Sequence, residues 1–426
     1  MSKNSFRNKG KIIFEANKDM DPRELSIKDF SYDLPEDRIA KYPLAERDSA
    51  KLMIYRNGQI SQDLFLHIDR YIPRHSLVLF NNTRVIHARL ILLNSKGEKV
   101  EIFCLEPEEN ISDMSVAMSK TGSTRWNCLL GRANKWREKI LEFRHSEFIL
   151  RTEIISRSSD AFIIEFVWSP GQFSFAEILE KTGQVPIPPY LRRHSEEVDE
   201  TRYQTVYARE EGSVAAPTAG FHFTEKIFES LKANHVLTDE VTLHVSASTF
   251  KPVKSDTMAG HVMHGELMLV KKNTIEKLLN SSGHPVIAAG TTALRTIESL
   301  YWMGLKAGLN PGSSMEDLET KQWDPYGQFP EISSEKALES LLHWMERNDL
   351  ERLNCSTRIL IAPPYRLKTA QALITNFHQP NSTLLLLVAA VAGADCKRIY
   401  AYALQHNFRF LSYGDGSLIF ANAGKF

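Results

Sequence analysis

Apolar and polar residues alternate along 240–245 (EVTLHV), placing Val241, Leu243 and Val245 on one face of a strand and Thr242 and His244 on the other. Unbroken apolar runs at 76–80 (SLVLF) and 285–289 read as buried strands, and further strands are predicted at 51–55, 358–362, 372–375 and 417–420. At 225–234 the period changes: Ile227, Phe228 and Leu231 share one helical face, and Thr224 supplies an N-cap. Helices are also predicted over 175–181, 293–301, 335–345 and from Leu384 onward, the last apolar all round and so buried.

Between about 92 and 168 the texture differs. The runs EKVEIFCLE, DMSVAMSK, TRWNCLLG, EKILEFR, FILRTEII and DAFIIEFVW are short and β-rich, separated by turn residues, and lack a helical period. Such spacing predicts a small barrel or sandwich set into a larger domain. The expected fold class is therefore α/β: a mixed-sheet α/β main domain with an inserted small β-barrel domain. Its expected boundaries are an N-terminal extension at 1–27, a discontinuous α/β domain at 28–91 and 170–426, and the inserted barrel at 92–169.

Composition narrows this only in places. A chain of 426 residues exceeds one ordinary core, at roughly 100–200 residues per domain. Formal net charge is zero, so nucleic-acid binding has to rest on local patches. One such patch joins Lys120, Arg125, Arg132, Lys135, Arg137 and Lys139 to Trp126 and Trp136, as charge plus stacking rings or as a solvated strand face. Cys104, Cys128, Cys355 and Cys396 form no CxxC pair, which argues against a disulfide framework or a thiolate metal site and for a reducing cytoplasm. Residues 1–20 are polar and mildly basic without the apolar core of a signal peptide, and the longest apolar run, 384–394, is too short to span a bilayer. The expectation is a soluble, cytoplasmic protein.

Candidate chemistry collects in loops. Along 202–224 (RYQTVYAREEGSVAAPTAGFHFT) a loop of small residues delivers His222 between two phenylalanines, Pro217 restricting the residue before it and Gly220 permitting a close backbone approach. His222 reads as a site residue or as a packed core histidine. Asn81, Asn82, Thr83 and Arg84 offer amides, a hydroxyl and a guanidinium at a strand end, or a turn. HVMHGE at 261–266 spaces His261 and His264 by three with Glu266 nearby, which raises a metal-dependent hydrolase, although a third ligand and the HExxH form are missing. Gly290-Thr291-Thr292 opens a helix bearing Arg295 and Glu298, a place for a phosphate or carboxylate.

Nine segments taken together resemble the S-adenosylmethionine:tRNA ribosyltransferase-isomerase family of queuosine biosynthesis. They are FSYDLPEDRIAKYP, LFNNTRVIHARL, RYQTVYA, VAAPTAGFHF, VTLHV, HVMHGE, GTTALRTIESL, LITNFHQPNSTLLLLV and YGD, in the family's order from Phe30 to Asp415. The resemblance implies an α/β domain interrupted by a small barrel. It also implies an enzyme that moves the ribosyl portion of S-adenosylmethionine onto 7-aminomethyl-7-deazaguanine at the tRNA wobble position, forming an epoxycyclopentanediol and releasing adenine and methionine. S-adenosylmethionine would be a co-substrate, with no prosthetic group and no metal, and the partner would be tRNA carrying a modified wobble base. Apart from the resemblance, no membrane partner is expected and the protein is expected to be a monomer.

Under that resemblance, a base must take a C5′ proton made acidic by the sulfonium and an acid must help adenine leave. The candidates are His222, His244, His264, Glu266, His378 and Asp415. Thr218, Gly220, Phe221, Thr291, Thr292, Asn376, Phe377 and Tyr413 are expected to hold S-adenosylmethionine, the rings facing the sulfonium. Arg84, Arg192, Arg193, Tyr203 and Arg295 are expected to meet the anticodon loop. The chain departs from the family's usual VGAGTF at 245–250 (VSASTF), has APPY at 362–365 and YGDGS at 413–417, and adds the N-terminal arm and 306–354. Serines at 246 and 248 add side chains where backbone approaches a ligand, so a divergent paralogue that binds tRNA or an adenosyl ligand without this catalysis is the alternative.

Overall fold

Strands buried on both faces form the centre of a nine-stranded sheet in a computed structural model that describes residues 21–109, 113–157, 161–245, 253 and 255–421. Across it the order is Arg352–Thr357, Glu266–Lys271, Leu237–Leu243, Leu77–Asn81, Val286–Ala289, Ala372–Asn376, Gly416–Phe420, Lys51–Arg56 and Gln59–Leu64. Leu77–Asn81 runs parallel to Leu237–Leu243 on one side and to Val286–Ala289 on the other, and Val286–Ala289 runs parallel to Ala372–Asn376. The flanking pairs Glu266–Lys271 with Leu237–Leu243 and Gly416–Phe420 with Ala372–Asn376 are antiparallel. From Leu77–Asn81 the chain goes first to one neighbour and later to the other, which makes a topological switch beside the carboxyl ends of Leu77–Asn81 and Val286–Ala289.

The helices follow the apolar periods. Thr224 caps Glu225–Ala233 by accepting the Ile227 N–H at 3.4 Å, and Ile227 and Leu231 are buried, as expected. The helix Thr291–Leu309 is longer than the 293–301 predicted, continuing through Gly304. A Cβ on Gly304 would lie 2.0 Å from the Ala337 carbonyl, so glycine is what lets Ser334–Arg347 pack against this helix backbone to backbone. Residues 358–362 are not the predicted strand. The ladder to Glu266–Lys271 is made by Arg352–Thr357, after which the Thr357 hydroxyl accepts the Ile359 N–H at 3.2 Å and the buried apolar run bonds instead to the 320–326 segment, the Leu360 N–H to the Gln322 carbonyl and the Ala362 N–H to the Tyr326 hydroxyl.

By contact the chain divides into Met1–Asn82, Pro217–Leu243 and Lys251–Phe426, which hold the nine-stranded sheet, and a second unit of Thr83–Ala216 with His244–Phe250. The second unit thus takes in 83–91 and 170–216, which the sequence texture places in the main domain. Of the expected extension 1–27, residues 1–20 lie outside the described residues, while Leu25 and Ile27 are buried.

Within the second unit seven antiparallel strands follow the order Gly183–Gln184, Arg89–Leu93, Lys99–Pro107, Ser123–Gly131, Phe162–Ser169, Ile149–Arg157 and Ile140–Arg144. The first and last of these are edges, so among the described residues the sheet is open where a closed barrel was expected. The 113–120 run is not a strand either: Asp113 caps a short helix, Met114–Met118, by accepting the Ser115 N–H at 2.9 Å.

Candidate functional site

The polar residues of the first unit gather at the carboxyl edge of its parallel strands. Asn81 and Asn82 do not form a turn. The Asn81 amide accepts the Leu243 N–H and donates to the Leu243 carbonyl, both at 3.0 Å, continuing the ladder past the end of the backbone pairing. The Asn82 Oδ1 accepts the Thr242 hydroxyl at 2.8 Å. These side chains extend the sheet at the switch.

Beside them, Thr218–His222 is one 3-10 turn. Gly220 sits inside it with its N–H on the Pro217 carbonyl, and the left-handed φ belongs instead to Gly290, at 106°. His222, 4% exposed, packs against Phe65 with ring centroids 4.6 Å apart and planes tilted by 33°, and its Nε2 lies 3.0 Å from the Asn376 Oδ1. The Asn376 Nδ2 donates to the carbonyls of Leu411 and Ser412 at 3.0 and 3.1 Å, which fixes the amide so that Oδ1 faces the imidazole and Nε2 carries its proton. Leu411 has a φ of 70°, a conformation that costs a non-glycine residue energy and is held here by Asn376 and by its own N–H to the Phe377 carbonyl. A Cβ on Gly416 would stand 2.7 Å from Phe65 and 3.3 Å from His222, so the ring contact requires that glycine.

Asp415 is fully engaged: Oδ1 accepts the Lys51 N–H at 3.1 Å and Oδ2 the Arg409 N–H at 2.7 Å. That geometry pins a turn. His378 is half-buried, with Nε2 2.8 Å from the Thr375 hydroxyl and its carbonyl bonded by the Tyr32 hydroxyl. Phe377 packs among Tyr400, Phe408 and Phe410 at 5.0–5.7 Å and is a core ring. Phe221 and Tyr413 face each other at 5.9 Å, and the Phe221 carbonyl accepts Arg47 at 3.3 Å; Thr218 is half-buried beside them. Lys51, Phe65, Arg47 and Arg409 were missed because nothing local marks them; each acts through residues at least six positions away.

Across the switch, Thr291 is buried and the Thr292 Oγ1 is buried with no hydrogen-bond partner. Arg295 is buried in an ion pair with Glu266, so it is not offered to an anticodon loop. One turn on, the fully buried Glu298 accepts the Tyr365 hydroxyl at 2.6 Å and the N–H groups of Lys368, Thr369 and Ala370 at 2.8–3.0 Å. His261 is half-buried, its pKa lowered by burial and by neighbouring His264, whereas His264 is exposed. Among the described residues no group of three or more His, Cys, Asp and Glu is placed to hold a metal ion, and no helix is long and apolar enough to cross a membrane.

In the second unit His244 is buried with Nδ1 3.4 Å from the Thr83 hydroxyl. Of the expected RNA contacts, Arg84 is exposed at 4.0 Å from Glu211, and Arg192 is exposed at the left-handed end of a short turn. Arg193 instead forms a bidentate pair with buried Asp199 at 2.6 and 2.8 Å, and Tyr203 is completely buried, so neither is displayed for stacking or pairing. The basic patch is likewise corrected. Trp126 and Trp136 are core residues, and Lys120, Arg125, Lys135 and Lys139 pair with Glu109, Glu165, Glu98 and Glu153. The serines at 246 and 248 lie outside the described residues.

Burial pulls the pKa of His222 and of His244 from the ordinary 6.5 down to about 4, outweighing the Asn376 hydrogen bond in the first case and the charge of Asp113 in the second; burial does the same to His378. Because the unfolded chain takes up these protons first, stability is complete above pH 6.5 and is lost as pH falls toward 4. The expected loss is on the order of 3 kcal/mol for each of His222 and His244. Urea midpoints at pH 7.5, 6 and 5 check this: they should fall steadily, and less steeply in His222→Gln. A flat profile would contradict it.

A family model described as queuosine biosynthesis protein matches residues 27–419. The S-adenosylmethionine:tRNA ribosyltransferase-isomerase of Azoarcus sp. is 34% identical over 93% of this chain and 98% of its own length, and that of Magnetococcus marinus is 33% identical over 92% and 94%. A solved structure, the S-adenosylmethionine tRNA ribosyltransferase of Thermotoga maritima, is 26% identical over 92% of this chain and 99% of its own, with a TM-score of 0.44. With one model spanning almost the whole chain and full-length relatives at a third identity, this chain belongs to the queuosine biosynthesis protein family.

Proposed function

We propose that this protein transfers and isomerises the ribosyl moiety of S-adenosylmethionine onto 7-aminomethyl-7-deazaguanine at the tRNA wobble position, giving epoxyqueuosine-tRNA and releasing adenine and methionine. The observation that carries the proposal is the His222–Asn376 hydrogen bond. It joins two segments that resemble the family, 154 positions apart, at the carboxyl edge where open α/β sheets take their ligands.

Roles follow from what each side chain is free to do. His222, neutral at pH 7 and tied to Asn376, shapes the pocket wall, as does Asp415 through its turn. Phe221 and Tyr413 give the sulfonium an aromatic wall, and Thr218, Thr291 and Thr292 supply hydroxyls for the ribose. His264, exposed and two residues from Glu266, is the proton-transfer group that removes the C5′ proton. Arg84 and Arg192 on the second unit meet tRNA phosphates.

Incubation with S-adenosylmethionine and tRNA carrying the deazaguanine precursor should release adenine in step with tRNA modification. Folded protein that releases none, beside a working relative, would sink the proposal.

A further inference from the structure

Arg295 is 7% exposed, yet its Nε and Nη2 have no hydrogen-bond partner, while Nη1 is held by Glu266, itself 4% exposed. Those two nitrogens are the side-on edge of the guanidinium. Their N–H bonds run parallel and match the two oxygens of a carboxylate or phosphate. A buried donor left unmade costs about 1–3 kcal/mol, and more when charged, so an empty edge inside a folded protein points to a ligand.

The surroundings say which one. Thr292 lies three residues earlier on the same helix face, and its hydroxyl is also unpartnered. A Cβ on Gly290 would lie 3.6 Å from that hydroxyl and 3.9 Å from Ala219, so this face adjoins the 218–222 turn. Glu266 opens the strand Glu266–Lys271, whose antiparallel register with Leu237–Leu243 puts it beyond the carboxyl end of that strand, on the side of the sheet edge already described. A guanidinium next to a carboxylate is complementary to the zwitterionic end of an α-amino acid. A phosphodiester would gain the first group and be repelled by the second, and burial favours a small ligand over a polymer backbone.

We propose that Arg295 and Glu266 form a clamp for the amino-acid end of S-adenosylmethionine, Nε and Nη2 of Arg295 receiving the α-carboxylate and Glu266 facing the α-ammonium. The assignment rests on the reading of S-adenosylmethionine as co-substrate. Glu266 is then a binding group, which leaves proton transfer to His264.

The test is titration calorimetry of the full chain with S-adenosylmethionine and with its decarboxylated analogue, which keeps the adenosyl group, sulfonium and amine. The wild-type protein should prefer the carboxylate-bearing ligand by about 10–100-fold. Arg295→Lys keeps a cation for Glu266 but loses the fork, and should bind both ligands with the weaker affinity; Glu266→Gln should weaken both and preserve the preference. Equal wild-type affinities overturn the clamp and need no variant to fold. An undiminished preference in Arg295→Lys also overturns it, as does a loss of tRNA binding there with the preference intact, which would make the anion a tRNA phosphate. Preference without adenine release keeps the clamp and sinks only the proposed reaction.

Discussion

His264→Gln should lower kcat for adenine release by about 10²–10⁴-fold, the usual contribution of a positioned proton-transfer group, with affinity for S-adenosylmethionine little changed. Of the six candidate acids and bases, four are already engaged. His222 holds Asn376, Asp415 holds two backbone N–H groups, His378 lies against Thr375, and Glu266 is paired with Arg295. His244 is buried within the second unit with its pKa drawn down to about 4. Of the six, only His264 has an exposed side chain, which is why the proposed function gives it the proton transfer. Single-turnover adenine release together with equilibrium binding separates the two quantities. A kcat within a few-fold of wild type would move the proton transfer to another group.

Glu298→Ala should cost about 3–5 kcal/mol, because it strips a buried carboxylate from four donors at once. Three of these are consecutive N–H groups at Lys368, Thr369 and Ala370, and the fourth is the Tyr365 hydroxyl, which itself accepts the Trp302 indole at 3.2 Å. Together they shape the turn that feeds Ala372–Asn376, the strand that ends in Asn376. Burial raises the Glu298 pKa against the pull of those donors. The folded protein therefore holds this proton longer than the unfolded chain does, and Glu298's own contribution diminishes as pH rises between the two values. Glu298→Gln, which keeps an acceptor oxygen and the shape, should lose distinctly less. Urea denaturation ranks the three proteins, and a loss below about 1 kcal/mol for alanine would show that the turn is held by something else.

Strands were readable wherever burial on both faces wrote an apolar run. SLVLF and the first part of the alternation at 240–245 lie in the central sheet, but that strand ends at Leu243, and pairing with Leu77–Asn81 starts it at Leu237, among polar residues that no period marks. The helix predicted at 293–301 runs on to Leu309 through Gly304, the point where Ala337 comes closest, a contact that no local pattern marks. Trp126 reads as a stacking ring because strand faces cannot be assigned until the register is known, and the register turns it inward; Trp136 is buried at the end of the short turn Ala133–Lys135, which no period marks. In the site, motif resemblance brought together His222 and Asn376. It said nothing of Lys51, Arg47 or Phe65, whose roles come from backbone groups and ring faces that any sequence could supply.

The place of Gly416–Phe420 between Ala372–Asn376 and Lys51–Arg56 bears on how the protein is made. Of the nine strands it is the last in sequence, yet it joins the hairpin of Lys51–Arg56 and Gln59–Leu64 to the parallel centre. Until residue 416 is made, that hairpin has no partner on its inner edge and Ala372–Asn376 has none on the facing side; Gly416–Phe420 then pairs with both. That pairing joins strands some 360 positions apart, a long-range contact of the kind whose loop-closure entropy must be met before it stabilises the sheet. Docking of Gly416–Phe420 is the step that joins the hairpin to the parallel centre and, with it, sets Gly416 against Phe65 and His222.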